Sequence, residues 1–513
     1  MTNAATSLWQ AFEQVARDRD GAPALVLPQE QVTFGALLRD AVNCAAWLEA
    51  QGAAPGSVVA LHLPKRRETY ALWLGCLRQG LIYAFIDPRN PPQRTAQIVD
   101  RLKPILVVSV AHVSNPYGRT ITLRSEQAEG DWLRDLGSPA IPAVARVGIV
   151  DPAYVMFTSG STGEPKGAVI PHQGVMSLMR WGRTLCKPER SRFSNINPLH
   201  FDNSVFDLYC GLLNGAALVP VETGAVSNPA HWVRRLREGG ANVIFAVPTL
   251  FQTLAQLKLL KPENLPQARL FVFGGEGFPI AALRSFREQF EGRARLLNVY
   301  GPTETSCICS SLEINRSAID DAQNAFPSLG RMHDGFSHLI LDESGAEVPR
   351  GTAGELWIGG ANVGLGYFAD PAETQRRFRQ DPRHDRFRSI WYRSGDLVRE
   401  DENGLLWFQG RVDNQVKVRG HRIELEEIDL VLESLEHVSR AVAVVLSGPD
   451  GPEIGAAFAA QEPVSAERIR AHCLAKLPGY MQPVHIHQVE ALPTNANGKV
   501  DRRATLALLR DRI

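Results

Sequence analysis

No segment of this chain stays apolar long enough to span a bilayer, and Met1 to Gln14 lack a basic start followed by an apolar core. Neither a membrane anchor nor a secretory leader is expected. Cysteine is sparse: seven residues, at positions 44, 76, 186, 210, 307, 309 and 473, odd in number and nowhere spaced Cys-x-x-Cys. Neither a disulfide framework nor a zinc site is therefore expected, and a cytoplasmic location is. Net charge is absent too, with 55 Lys+Arg against 55 Asp+Glu, so neither nucleic acid nor an anionic membrane is an expected partner. No Gly-Lys-Ser/Thr completes a Walker A loop, and nothing suggests a Ser-His-Asp arrangement.

What is present is an ordinary globular composition, 44% apolar and 21% charged, over 513 residues. That length exceeds a single hydrophobic core and predicts two or more domains. The most distinctive stretch is Tyr154-Val-Met-Phe-Thr-Ser-Gly-Ser-Thr-Gly-Glu-Pro-Lys-Gly167. Its apolar run, Tyr154 to Phe157, reads as a buried strand that breaks into a hydroxyl- and glycine-rich loop containing Lys166. Glycines let backbone N–H groups turn toward an anion, hydroxyls add donors, and the lysine adds charge. Such a loop suits a polyphosphate.

Helical and strand periods alternate on either side of it. Helices are predicted at Ser7–Arg19, Thr33–Gln51, Thr69–Gln79 and Arg94–Leu102, with strands at Ala24–Leu27, Val58–Leu63, Tyr83–Asp87 and Ile105–Ser109. A second run places helices at Gln173–Cys186, Pro229–Glu238 and Leu250–Leu259, and strands at Ala217–Pro220, Val243–Val247 and Leu270–Phe273. This alternation predicts an α/β fold with two sheet-containing subdomains and phosphate contacts at strand ends. From about Ser337, short strands between turns predict a small β-barrel-like subdomain that completes an N-terminal core of residues 1–412. Residues 413–513 read as a small α+β domain, with helices at Leu425–Ser434 and Ala466–Lys476 and a strand at Ala441–Leu446.

Several motifs succeed one another along the chain: Thr158 to Gly167, Asn298-Val-Tyr-Gly-Pro-Thr-Glu-Thr305, Gly354-Glu-Leu-Trp-Ile-Gly-Gly360, Tyr392-Arg-Ser-Gly-Asp-Leu397, Gly410-Arg-Val-Asp-Asn-Gln-Val-Lys-Val-Arg-Gly-His-Arg-Ile-Glu424 and Asn497-Gly-Lys499. In this order they resemble the signatures of the adenylate-forming superfamily of acyl- and aryl-CoA synthetases, luciferases and nonribosomal adenylation domains. The resemblance spans about residues 7 to 505 and is greatest to a free-standing amino-acid adenylation domain. It implies a reaction in two halves. A carboxylate attacks the α-phosphorus of MgATP, giving an acyl-adenylate and pyrophosphate, and a thiol then takes the acyl group. Both halves manage negative charge more than protons, so positioning and electrostatics are expected to dominate.

The resemblance also implies roles. Thr158, Ser159, Gly160, Ser161, Thr162 and Lys166 would hold the β- and γ-phosphates. Glu304 would bind Mg2+, a hard ion suited to a carboxylate beside phosphate oxygens, and Thr303 would contact the α-phosphate. Gly275, Glu276, Asn298, Val299, Tyr300 and Phe408 would surround the nucleotide. Asp396 would accept from the ribose hydroxyls, and Arg411 would reach the ribose or phosphate. Lys499, acting with Thr303 and Glu304, would be catalytic, its point charge bridging substrate carboxylate and α-phosphate. Taken alone, Lys499 is an exposed lysine in a polar turn; the neighbouring Pro493-Thr-Asn-Ala-Asn-Gly498 changes that reading. Asp413 matches the hinge about which residues 413–513 would rotate between the two halves, bringing the loop near Arg419-Gly420 into play.

His200-Phe-Asp-Asn-Ser-Val-Phe206 bears on the substrate. Asp202 would hold an amino-acid ammonium, and Asn203, Phe206, Phe245, Val272, Gly274, Val299, Cys307 and Ile308 would surround the side chain. With no charge among them, room at Gly274, and Phe206 and Phe245 limiting it, a branched aliphatic amino acid such as isoleucine, valine or leucine is expected. Asn203 leaves a polar or cyclic substrate open. The chain ends fourteen residues after Lys499, from which a free-standing ligase is expected that loads a separate phosphopantetheinylated carrier protein, with a small MbtH-like activator as an optional partner. Alternatives are an alanine-, D-alanine- or proline-carrier ligase and an acyl-CoA synthetase. A non-catalytic binding module is disfavoured by intact Lys166, Glu304, Asp396, Arg411 and Lys499.

Overall fold

The computed structural model describes residues 6–123, 131–136, 140–160, 163–222, 228–320, 325–448, 451–494 and 500–510. Contacts divide the chain into two units. The first comprises Met1–Pro88, Leu102–Met156 and Gly167–Val412; the second comprises Arg89–Arg101, Phe157–Lys166 and Asp413–Ile513.

The first unit is α/β, built on a nine-stranded and a seven-stranded sheet. Strands Val243–Ala246 and Leu270–Gly274 are buried at every position, as expected of parallel strands covered on both faces. In their register Phe245 pairs with Val272, and Gly274 with Val299 on the next strand, Arg295–Tyr300. Paired residues share a face, as do residues two apart on one strand, so the sheet itself sets these four positions on one face in two adjacent rows. Helices start where short hydroxyl side chains can cap them. Ser7 accepts from the Gln10 N–H at 3.3 Å and Thr33 from the Ala36 N–H at 3.2 Å, each worth about 1 kcal/mol.

One apolar core runs from Trp9 and Trp73 through Tyr83 and Tyr154 to Phe193, Phe206 and Phe245, joining both sheets. A second, around Trp232, Phe251, Phe271 and Phe286, includes the alternate residues of the nine-stranded sheet. The expected β subdomain is a five-stranded antiparallel sheet in which Leu406–Arg411 pairs with Ile390–Glu400, setting Arg411 opposite Asp396.

In the second unit, hairpin Gln415–Val418/His421–Glu424 leads into helix Leu425–Glu433, and then come hairpin Val438–Gly448/Gly451–Ala460 and strand His485–Val489. Ile423, Ile428, Leu432, Phe458 and Ile469 form its core.

Some boundaries differ from the sequence expectation. The hairpin strand Val438–Gly448 is longer than Ala441–Leu446 because pairing with Gly451–Ala460 carries its polar ends. Lys166 opens strand Lys166–Pro171, whose buried Ala168 and Ile170 alternate immediately after the loop. The stretch after Asp202 is a short helical turn, Asn203–Val205, running into a π-helical segment, Phe206–Gly211. π-Segments recur at functional sites because they re-aim side chains.

Candidate active site

In the first unit, three of the residues named for the nucleotide, Tyr300, Asp396 and Arg411, form a connected network. Asp396 is buried and accepts at both oxygens: from the Tyr300 hydroxyl at 2.5 Å and from the Arg411 guanidinium. Arg411 also donates to the Ser394 carbonyl at 3.2 Å, and Ser394 Oγ accepts from the Asp396 N–H at 3.0 Å. The carboxylate is thus fixed in orientation by a cation and a phenol, and its backbone by the Ser394 hydroxyl. Burial, with the Asp396 charge adding, pushes the Tyr300 phenol well above its ordinary range, so it stays a donor. Asn298 is turned away into the protein, donating to the Ser328 carbonyl at 2.8 Å. Gly275 sits at φ 90°, and Glu276 accepts from the Thr249 N–H at 2.7 Å, tying the end of strand Leu270–Gly274 to helix Pro248–Gln256. Phe408 is exposed.

The turn after strand Arg295–Tyr300 carries the next pair. Thr303 Oγ1 donates to Asp202 Oδ2 at 2.6 Å. Although Asp202 begins a helical turn, it makes no side-chain capping bond. Glu304 is fully buried and accepts from the Tyr367 hydroxyl at 2.6 Å, while its carbonyl accepts from the Gly364 N–H at 2.8 Å. Ser306 and Cys307 come next at φ 61° and 80°, two successive left-handed non-glycine residues. Such strain persists only where surroundings over-determine it, and it clusters at sites. Here Ser306 Oγ donates to the Asn362 carbonyl at 3.0 Å and Cys309 N–H to the Tyr300 carbonyl at 2.8 Å.

Among the described residues no group of three or more His, Cys, Asp or Glu side chains could hold a metal alone. Magnesium tolerates one or two protein carboxylates when phosphates supply the rest, and Glu304 fits that donor set.

The residues expected around a substrate side chain lie in or against the main core. Phe206, Phe245, Val272, Val299, Cys307 and Ile308 are all buried members of it. Phe206 and Phe245 meet edge to face, centroids 5.2 Å apart, and Trp181 and Phe193 back Phe206. Asn203 is buried as well. Gly274 has a stricter cause than room for substrate: a Cβ there would stand 2.4 Å from the Val299 carbonyl oxygen. Burial, with Asp202 adding, pushes the Cys307 thiol well above its ordinary range and keeps it protonated.

In the second unit, Thr158 ends strand Pro152–Thr158, and Ser159, Gly160 and Lys166 are buried. Asp413 is half-buried, its Oδ1 accepting from the Gln415 N–H at 3.4 Å. Ser161, Thr162 and Lys499 lie outside the described residues.

Sequence reasoning missed Tyr367, the partner of Glu304, and a polar group behind Phe245. Asn197 Nδ2 donates to the Phe245 carbonyl at 3.0 Å and to Asp207 Oδ2 at 3.3 Å, and Asn195 Nδ2 also donates to Asp207 Oδ2, at 3.1 Å. Asp207 is fully buried, and burial pushes its carboxyl well above the usual range. The signal available was the acid one position after Phe206 in an otherwise apolar run.

The profile of the AMP-binding enzyme family matches residues 12–368. L-Proline–[L-prolyl-carrier protein] ligase of Pseudomonas fluorescens is 31% identical, covering 94% of this chain and 95% of that protein. Bacitracin synthase 1 of Bacillus licheniformis is 32% identical over 97% of this chain, which spans only 9% of that synthase. Among solved structures, holo-PA1221, an NRPS protein containing adenylation and PCP domains bound to a vinylsulfonamide inhibitor, matches with a TM-score of 0.83 at 26% identity. That match covers 99% of this chain and 84% of the other.

Proposed function

The chain belongs to the AMP-binding enzyme family and is an adenylate-forming enzyme, and on that premise we propose that it activates an amino acid with MgATP and transfers it to the phosphopantetheine thiol of a separate carrier protein. The observation that carries the amino-acid reading is the Asp202 carboxylate, held by the Thr303 hydroxyl at 2.6 Å in the chain segment that also buries Asn203 and supplies Phe206 to the apolar core. A fixed carboxylate close in sequence to buried apolar side chains suits an ammonium group with a hydrocarbon side chain. Asp396, fixed by Arg411 and Tyr300, would take the ribose hydroxyls. Glu304 would meet the magnesium that the phosphates carry, a Lewis acid drawing charge from the reacting phosphoryl group. Ser159, Gly160 and Lys166 would hold the β- and γ-phosphates. Lys499, on a mobile domain of residues 413–513 hinged at Asp413, would stabilise charge at the reacting carboxylate and α-phosphate.

The uncharged pocket favours a branched aliphatic substrate. Proline is the second reading, supported by the match along almost the whole length of the prolyl-carrier protein ligase. A reducing, cytoplasmic setting accords with seven free cysteines, all but Cys186 buried. No helix among the described residues is long and apolar enough to cross a membrane.

ATP–pyrophosphate exchange across a panel of amino acids that includes isoleucine, valine, leucine, proline and D-alanine tests the reading. The expected result is exchange with a branched aliphatic amino acid and its loss in Asp202→Ala. Activity only on acids that lack the amine would overturn it.

A further inference from the structure

Within the second unit, the Ser159 hydroxyl and the Gly160 N–H, which follow strand Pro152–Thr158, already have partners. The Gly160 N–H donates to Glu427 Oε2 at 3.2 Å. Ser159 Oγ donates to the Arg422 carbonyl at 2.8 Å and accepts from the Glu424 N–H at 3.1 Å. Glu427 is 1% exposed and ion-paired with Arg94, itself 4% exposed. A carboxylate so far from water persists only where a cation and further donors offset its desolvation, and Arg94 with Gly160 supplies both. Gly160 cannot be another residue here, because a Cβ would stand 1.8 Å from the Glu164 carbonyl oxygen. The tight turn that requires glycine is the one that presents its N–H to the carboxylate.

A carboxylate oxygen and a phosphate oxygen ask for the same thing from a backbone N–H, and two anions at contact distance on one donor repel. We propose that Glu427 competes with the polyphosphate of ATP, and with inorganic pyrophosphate, for the Ser159–Gly160 end of this loop. This rests on the proposed assignment of the loop to the β- and γ-phosphates. The loop then holds either the nucleotide's phosphates or the Glu427 carboxylate, never both. Once pyrophosphate leaves, Glu427 takes the vacated N–H, Ser159 is tied to strand His421–Glu424, and return of pyrophosphate to reverse adenylate formation is opposed. Arg94 anchors Glu427 in the phosphate-free arrangement.

The test uses the full chain, with adenylate formation read by hydroxylamine trapping and with inorganic pyrophosphate added as inhibitor. Two variants are compared with wild type: Glu427→Gln, and Arg94→Met combined with Glu427→Met, which removes both charges and so leaves no unpaired buried arginine. The expected result is a fall of about tenfold in the KM for ATP and in the pyrophosphate concentration that halves the rate, the size of one lost charge-assisted contact. Unchanged or raised values in either variant that melts cooperatively overturn the proposal. Lys166→Ala separates this failure from that of the loop assignment. If Lys166→Ala raises the KM for ATP and the Glu427 variants do not lower it, the loop holds polyphosphate and the competition is wrong. If Lys166→Ala leaves the KM unchanged, the loop assignment fails and the competition falls with it.

Discussion

Asp396 shows how completely a single side chain can be committed. Both of its oxygens are used, one by Tyr300 and one by Arg411, and its own N–H is held by Ser394. Removing the Tyr300 hydroxyl leaves the carboxylate oriented from one side only. Tyr300→Phe is therefore expected to raise the KM for ATP about tenfold with little change in the KM for amino acid, measured by exchange kinetics. Gly274 is committed in a different way, by the Val299 carbonyl that a Cβ would strike. Gly274→Ala is expected to destabilise the fold by about 1–3 kcal/mol through forced strand separation, read from the urea midpoint. A smaller pocket alone would lower activity without moving that midpoint. Motif position made both residues legible in the sequence. The network around Asp396 was not, because Tyr300, Asp396 and Arg411 belong to separate strands and meet only through the fold.

Helix His172–Leu185 begins at a buried histidine whose Nδ1 accepts from the Leu8 N–H at 3.4 Å, joining it to the start of helix Leu8–Asp18. Burial lowers the His172 pKa to about 4, with Asp151 opposing. In the unfolded chain the same group titrates near 6.5, so between those values the unfolded state binds a proton that the folded state refuses. Its contribution to stability is intact above about pH 6.5 and is lost as pH falls toward 4, by ~3 kcal/mol in total at about 1.4 kcal/mol per pH unit. The urea midpoint should fall over that window, and His172→Asn should flatten the slope. At the scale of elements, most helices and buried strands were legible from their periods. The π-helical Phe206–Gly211 was not, since one extra residue per turn leaves no pattern in so short a segment, buried at every position. The long hairpin Val438–Gly448/Gly451–Ala460 exceeded its apolar centre because backbone pairing, not hydrophobicity, sets its ends.

The two proposed half-reactions make different demands on the molecule as a whole. With Lys499 acting only in the first, Lys499→Ala is expected to lower ATP–pyrophosphate exchange by about 100-fold or more. It should leave thioester formation from supplied aminoacyl-adenylate within a few-fold of wild type, monitored by carrier-protein mass. Equal loss in both halves would contradict the assignment of Lys499 to one of them.

The sequence alone determined where most strands and helices run and which side chains are candidates for the chemistry, because glycine, hydroxyl and charge spacing and hydrophobic period are local properties of the chain. It determined the family for the same reason. Which donor meets which acceptor was decided only by tertiary structure. Thr303 is bonded to Asp202, 101 residues away, and Gly160 to Glu427, 267 residues away. Glu304 is met by a tyrosine that no motif singled out. Contacts at such separations depend on strand register and on how elements pack, and a carboxylate chooses its partner by who else is desolvated beside it. That is why the loop read as an anion cradle from its own residues, while the identity of the protein's own carboxylate lying in it had to come from the fold.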